Sequence, residues 1–272
     1  MPQSSIVSSL RGAGCVFAED EAALLSDAAT GPAHLEALVA RRVGGEPLEY
    51  VLGWAEFRGL RVVVEPGVFV PRQRTGFLVE QALGVLPAGG VVVDLCCGSG
   101  AIGAAIAAER ADATVYAADL DPAAVRCARR NLPRRVYEGD LFGALPVELR
   151  GGVDVVVANV PYVPSEAIAS MPPEARDHEP AIALDGGADG LDTFRTVARE
   201  APSWLVAGGH VLSETSEEQA DRAAAVLADA GLAPHVARCD ELGATVVVGR
   251  AAHDGREAFA GTSSRSSGSS AG

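Results

Sequence analysis

The chain has 272 residues, enough for one large domain or for one domain with a smaller accessory unit. Its 36 acidic and 22 basic residues give a net charge of −14, which disfavours a protein that acts by neutralising nucleic-acid phosphates. No apolar run approaches the roughly 20 residues of a membrane span. The 5 cysteines have neither C-x-x-C nor metal-ligand spacing. We expect a soluble cytoplasmic protein with reduced thiols, no metal and no nucleic-acid or membrane partner.

The N-terminal part is expected to be helical. Between residues 19 and 44 apolar positions recur at three- and four-residue spacing, with a break at Gly31-Pro32. The next stretch, residues 46–72, alternates apolar segments with glycines and Pro66-Gly67, a pattern that predicts a β-hairpin.

From about residue 75 onward, apolar strands alternate with alanine-rich helical segments. The strand-like segments are VVVDLC, ATVYAADL, RRVYEGDL, VDVVVANV, GGHVLSET and ATVVVG. This alternation predicts an α/β fold in which helices cover both faces of a mostly parallel sheet. Ligands bind such sheets at the carboxyl ends of the strands, so the residues that follow each strand are the candidate site.

This pattern divides the chain into four parts. They are a helical domain at 1–50, a β-hairpin connector at 51–74, an α/β domain at 75–250 and a tail at 251–272. The tail is rich in serine and glycine, has almost nothing to bury and is expected to be disordered.

A glycine-containing turn follows the first strand of the α/β region. Gly98, Gly100 and Gly103 satisfy G-x-G-x-x-G, which lets backbone amides approach a nucleotide. Asp119, at the end of the second strand, can accept hydrogen bonds from both hydroxyls of a ribose. The spacing alone fits a dinucleotide as well as S-adenosylmethionine. Two structural alternatives remain: the glycines only supply positive φ, or Asp119 caps the next helix, a role for which Asp121 is better placed.

Two further acids favour one of these cofactors. Asp94 lies inside the first strand and Asp140 follows the third, so that with Asp119 acids occupy three successive strand ends. Such negative charge repels a pyrophosphate and attracts the sulfonium and ammonium of S-adenosylmethionine. The structural alternative is that individual acids belong to surface turns.

The fourth strand is followed by Asn159-Val160-Pro161-Tyr162. An uncharged carboxamide suits an acceptor whose nucleophile is itself a planar –NH2 group. Hydrogen bonds from that group to Asn159 and to the next backbone carbonyl would aim its lone pair at a methyl group. Pro161 restrains Val160 to extended geometry, and Tyr162 can wall the pocket or bind the substrate. The alternative is an ordinary turn.

In this order, VVVDLCCGSGAIG, AADLDP, GDLFGAL and NVPY resemble the motifs of class I S-adenosylmethionine-dependent methyltransferases that end in Asn-Pro-Pro-Tyr. Adenine-N6 and protein-(glutamine-N5) methyltransferases share that last motif. The flanking segments, EPLEYVLGWAEFRGLRVVVEPGVFVPRQRTGFLVEQAL, HEPAIALDGGADGLDTFR and LVAGGHVLSET, are similar to release factor glutamine methyltransferases (HemK/PrmC-like). The resemblance spans roughly residues 46–250. It implies a Rossmann-like, mostly parallel seven-stranded sheet, with a β-hairpin connector and a helical N-terminal domain for substrate docking.

The resemblance also implies the chemistry: methyl transfer from S-adenosylmethionine to the side-chain amide nitrogen (N5) of a protein glutamine, in a peptide chain release factor or another protein. The implied cofactor-binding residues are Asp94, Cys96, Cys97, Gly98, Ser99, Gly100, Asp119, Leu120, Asp140, Leu141 and Asn159. The implied substrate-binding residues are Asn159, Val160, Pro161 and Tyr162, with Asn159 and Tyr162 catalytic.

The chain departs from the family pattern at three places. Cys96 stands where the family has glycine, and Val160 replaces the first proline of Asn-Pro-Pro-Tyr. PRQRTG at residues 71–76 replaces Pro-Arg-Pro-Asp/Glu-Thr-Glu, so both acids are absent. These departures mark a divergent member. The alternatives are a small-molecule methyltransferase of secondary metabolism, an adenine-N6 methyltransferase, which needs a basic groove, and a non-catalytic S-adenosylmethionine-binding protein.

Overall fold

The structure is a computed structural model that describes residues 2–252. The predicted disordered tail lies, from residue 253 onward, outside the described residues. The chain begins with α1 (Gln3–Gly12), α2 (Ala18–Ala28) and α3 (Pro32–Val43). Ile6, Leu10 and Leu25 are almost fully buried between these helices. The predicted break is confirmed, because α3 begins at Pro32, whose fixed φ suits the first helical position.

The predicted hairpin is confirmed for residues 54–63, the middle of that stretch. Its strands are β1 (Trp54–Phe57) and β2 (Leu60–Val63), which pair antiparallel. The start of the stretch forms a short helix instead, α4 (Leu48–Leu52). Pro47 precedes this helix, and Gly53, at φ 80°, ends it in the left-handed conformation that favours glycine.

A seven-stranded sheet forms the rest of the core, with strands in the order β5-β4-β3-β6-β7-β9-β8. The strands are β3 (Val91–Leu95), β4 (Thr114–Asp119), β5 (Val136–Glu138), β6 (Val153–Ala158), β7 (Leu205–Thr215), β8 (Ala233–Cys239) and β9 (Ala244–Arg250). β3 to β7 run parallel, and β9 is antiparallel to β7 and β8. β3 lies between β4 and β6, so the strand order reverses there and leaves a crevice at the carboxyl ends.

Helices cover both faces of this sheet, as predicted. They are α5 (Gly76–Val85), α6 (Ala101–Glu109), α7 (Pro122–Asn131), α10 (Asp192–Glu200) and α11 (Ala220–Asp229). Two short helices, α8 (Pro173–His178) and α9 (Ala181–Leu184), belong instead to the segment between β6 and α10. Adjacent strand residues point to opposite faces. Val93 therefore packs in the core that contains Phe194 of α10, while Val92 packs with Ile106 of α6. Each such side chain contributes roughly 1.5–3 kcal/mol of burial energy. The predicted fold class is confirmed.

Among residues 2–252, the helices are too short or too polar to cross a bilayer.

Candidate active site

A cavity of about 240 Å³ lies where β3, β4, β5 and β6 end. The predicted residues that line it are Cys96, Cys97, Gly98, Ser99, Asp119, Leu120, Asp140, Leu141, Asn159, Val160, Pro161 and Tyr162. Two predicted residues, Asp94 and Gly100, are not part of its lining. The connector adds Phe57 and Phe69 to the walls, and the segment between β6 and α10 adds Met171.

The glycine turn, residues 96–100, leads directly into α6. The Gly100 amide donates to the Cys97 carbonyl at 2.7 Å, and Gly100 has φ 77°. A Cβ at Gly100 would lie 3.2 Å from the Ala128 Cβ, so glycine here permits close packing against α7. Cys96 has φ 54°, a left-handed conformation that costs a residue with a side chain roughly 1–2 kcal/mol.

Asp94 lies behind this turn. It is fully buried, and its Oδ2 accepts a hydrogen bond from the Gly103 amide at 2.9 Å. Among residues 2–252, its Oδ1 has no hydrogen-bond partner. Burial raises the pKa of Asp94 to about 7. Asp94 therefore holds the first turn of α6 through the Gly103 amide and does not line the cavity.

Asp119 faces the cavity and is held by two backbone amides. Its Oδ2 accepts from Gly98 at 2.8 Å, and its Oδ1 accepts from Asp121 at 2.9 Å. Each carboxylate oxygen has two acceptor positions, so lone pairs remain for a ribose diol. Burial raises the pKa of Asp119. Asp121 caps α7 as predicted, since its Oδ1 accepts from the Ala123 amide at 2.8 Å.

Asn159 and Val160 line the cavity, and each carries a hydrogen-bond acceptor. Val160 and Pro161 are buried, whereas Asn159 is half-buried. Within residues 2–252, neither the Asn159 carboxamide nor the Val160 carbonyl makes a hydrogen bond. Buried polar groups are generally paired within the protein, so these two are available to a ligand.

Tyr162 is held by residues that sequence reasoning missed. Its hydroxyl donates to Glu214 Oε1 at 3.2 Å and accepts from Arg74 Nη2. Its backbone carbonyl accepts from Gln219 Nε2 at 2.9 Å. Burial, reinforced by Glu214, raises the pKa of Tyr162 to about 12. Glu214 and Gln219 lie on β7 and just before α11, far from the motifs in sequence.

The segment that covers the cavity is tied to other parts of the chain. Glu179 is buried and accepts from Arg72 Nη2 at 2.7 Å and from the Val70 amide at 3.2 Å. Glu174, in α8, lies 3.3 Å from the Arg42 guanidinium of α3. The cover is therefore anchored both to the connector and to the N-terminal helices.

The cavity fits S-adenosylmethionine. Three carboxyl groups, of Asp119, Asp121 and Asp140, line it and suit a ligand that carries a sulfonium and an ammonium. Asp119 offers acceptors for ribose hydroxyls, and Leu120 and Leu141 offer apolar surface for an adenine.

Comparisons with known proteins agree with this geometry. The family described as "Methyltransferase small domain" matches residues 59–171. A release factor glutamine methyltransferase of Geobacter sulfurreducens is 38% identical over 217 residues, which cover 78% of this chain and 75% of the relative. One of Streptomyces coelicolor is 43% identical over 189 residues, 67% of each chain. A solved methyltransferase structure from Pyrococcus furiosus shares the fold, with a TM-score of 0.54 at 17% identity over 72% of this chain and 90% of that one.

The sheet order, the acid-lined cavity and these matches define a class I S-adenosylmethionine-dependent methyltransferase. The chain belongs to the release factor glutamine methyltransferase family. The resemblance found in the sequence is thereby confirmed, and so are the fold and the cofactor that it implies.

Proposed function

We propose that the chain methylates the side-chain amide nitrogen (N5) of a glutamine in a peptide chain release factor. The observation that carries this proposal is the pair of acceptors at the Asn159 turn, the Asn159 carboxamide and the Val160 carbonyl, which line the cavity without a partner in residues 2–252. Bound S-adenosylmethionine supplies an electrophilic methyl group. An amide –NH2 is a weak nucleophile, because its lone pair is delocalised into its carbonyl.

In this proposal Asn159 Oδ1 and the Val160 carbonyl accept the two N–H bonds of the target amide. The nitrogen is then held with its lone pair directed along the path of attack, so the contribution is positioning by fixed dipoles. An N–C bond would form at the glutamine as the bond between the methyl group and the cofactor sulfur breaks, its electron pair leaving with S-adenosylhomocysteine, and one of the two amide protons would be released to solvent. Tyr162 and Pro161, which line the same end of the cavity, would flank the amide.

The cofactor would occupy the other end of the cavity. There the loop residues Cys96, Cys97, Gly98 and Ser99 would hold its methionine part, and Asp119 its ribose, as the geometry at those strand ends permits. Leu120, Asp140 and Leu141 would border the adenine. Asp94 and Gly100 would act on the cofactor only through the shape of the loop.

A release factor is the proposed acceptor because the similar relatives of Geobacter sulfurreducens and Streptomyces coelicolor carry that activity in their names. Termination factors act at ribosomes, so the proposed location is the cytoplasm. The helical N-terminal part, proposed to dock the acceptor protein, meets the cavity cover through Arg42 and Glu174.

The test is to incubate the protein with methyl-labelled S-adenosylmethionine and purified release factors and to locate the label by peptide mass spectrometry. We expect label on one glutamine side chain, and its loss when that glutamine is replaced by glutamate. Label on DNA or RNA, with none on protein, would refute the proposal.

The Asn159→Ala variant tests the role of the carboxamide. Because removal of one preorganised dipole costs about 10²–10³ in kcat, we expect at least a hundredfold loss of turnover. Calorimetry should find the affinity for S-adenosylmethionine within a few-fold of wild type. Unchanged turnover would contradict the assigned role.

A further inference from the structure

Arg74, Tyr162 and Glu214 form a hydrogen-bonded cluster at one end of the cavity, here called the Tyr162 cluster. Arg74 precedes α5, Tyr162 follows β6 and Glu214 lies near the end of β7. Arg74 Nε donates to Glu214 Oε1 at 2.9 Å, and Arg74 Nη2 donates to the Tyr162 hydroxyl. The Arg74 side chain is 47% exposed and the Glu214 side chain only 3% exposed.

The cluster determines what Tyr162 can offer a substrate. A phenol has one proton and two lone pairs. The proton is directed at Glu214, 3.2 Å away, and one lone pair accepts from Arg74. Because Gln219 also holds the Tyr162 carbonyl, the residue is fixed at both its hydroxyl and its backbone. The part of Tyr162 left to face an acceptor is therefore its ring and a single lone pair.

The charges within the cluster depend on each other. Glu214 Oε2 is buried and has no hydrogen-bond partner in residues 2–252. A buried carboxylate is strongly unfavourable once its partner is removed, so the Arg74 guanidinium keeps Glu214 in place as the acceptor for the Tyr162 proton. A guanidinium can reach two acceptors at fixed geometry, whereas an ammonium acts as a point charge.

We infer that Arg74 and Glu214 are positioning residues that hold the Tyr162 ring as a rigid wall of the acceptor end of the cavity. Arg74 also lines the cavity, but the inference assigns neither residue a contact with the acceptor. The effect on the acceptor rests on the proposed glutamine methylation, but the effect on the Tyr162 ring does not.

The experiment uses the full chain labelled with 3-fluorotyrosine. The chain has only 4 tyrosines, so the ¹⁹F resonance of Tyr162 can be assigned with Tyr162→Phe. The test variant is Arg74→Gln. The matched control is Arg130→Gln, which removes another half-exposed arginine that donates to a glutamate, Glu65, at 2.9 Å. Arg130 lies on α7 and does not line the cavity.

We expect Arg74→Gln to shift and broaden the Tyr162 resonance and Arg130→Gln to leave it unchanged. With a purified release factor as acceptor, the KM for that protein should rise about tenfold in Arg74→Gln, the scale of one lost charge-assisted hydrogen bond. The affinity for S-adenosylmethionine should stay within about twofold, because the cofactor end is untouched. Arg74→Lys should recover part of the loss.

An unmoved Tyr162 resonance in Arg74→Gln overturns the inference. So does a moved resonance with an unchanged KM for the release factor. If the wild-type protein methylates no release factor, the proposed function fails, yet the ¹⁹F spectra still decide whether the cluster holds the ring.

A second variant guards against misfolding. Glu214→Gln keeps an oxygen for the Tyr162 proton and removes the buried charge. In that background Arg74→Gln should raise the KM less than it does alone, because residues of one network are not additive. Strictly additive effects would count against the cluster acting as a unit.

Discussion

Asp94→Asn is expected to change the pH dependence of folding stability. Asp94 is fully buried, accepts one hydrogen bond from the Gly103 amide and has no other partner in residues 2–252. Burial raises its pKa from 3.8 to about 7 in the folded protein. The asparagine variant keeps an oxygen for the Gly103 amide but has no proton to lose in this range.

The sign and size of this pH dependence follow from proton linkage. Below pH 3.8 Asp94 is protonated in both the folded and the unfolded protein, so its burial does not yet lower the free energy of unfolding. Between pH 3.8 and about 7 the unfolded chain has released the proton and the folded protein retains it, so stability falls as pH rises. The shift of about three pH units corresponds to about 4 kcal/mol. Above about pH 7 the loss is complete.

Urea unfolding of both proteins at about pH 4 and about pH 8 measures this effect. Subtracting the wild-type free energy of unfolding from that of the variant cancels the other titrating groups. The difference should move in favour of Asp94→Asn by up to about 4 kcal/mol from the lower to the higher pH. A difference that is the same at both pH values would refute the assignment of a raised pKa to this carboxyl.

Two further predictions concern the loop and its acids. Asp119→Ala should weaken S-adenosylmethionine binding about 10–100-fold by calorimetry, since hydrogen bonds to a charged group contribute roughly 1.5–3 kcal/mol. Asp121→Ala should instead lower the free energy of unfolding by about 1 kcal/mol, because the cap of α7 is lost. Equal effects of the two variants on cofactor affinity would contradict this division of roles. Cys96→Gly should raise the free energy of unfolding in urea by about 1 kcal/mol by relieving the positive φ, and a lower value would mean that thiol packing outweighs the backbone cost.

The sheet was largely predictable because buried parallel strands have continuous apolar sequences. Six of its strands match predicted segments, and β8 was missed. β8 is mostly exposed, contains Pro234 and lies at the edge of the sheet, so it lacks the apolar run. The α1 helix lies inside the predicted helical domain, but no helical periodicity marked its residues, because it is rich in serine, a modest helix former, and buries only Ile6 and Leu10.

The cavity residues were predictable for a related reason. Residues after neighbouring parallel strands meet at one edge of the sheet, so local motifs converge in space without knowledge of packing. Asp94 shows the limit of this reasoning, since a residue inside a strand can face the core instead. Glu214 and Gln219 were missed because their partners are set by tertiary packing.

The Tyr162 cluster also constrains how the sequence can change. Arg74 and Glu214 are 140 positions apart, yet they share one ion pair. An acid introduced at position 74 alone would face a buried carboxylate, and a neutral residue would leave that carboxylate uncompensated. The two positions are therefore energetically coupled in this chain: Arg74, which stands where the family pattern has Asp or Glu, gives the buried Glu214 its cationic partner.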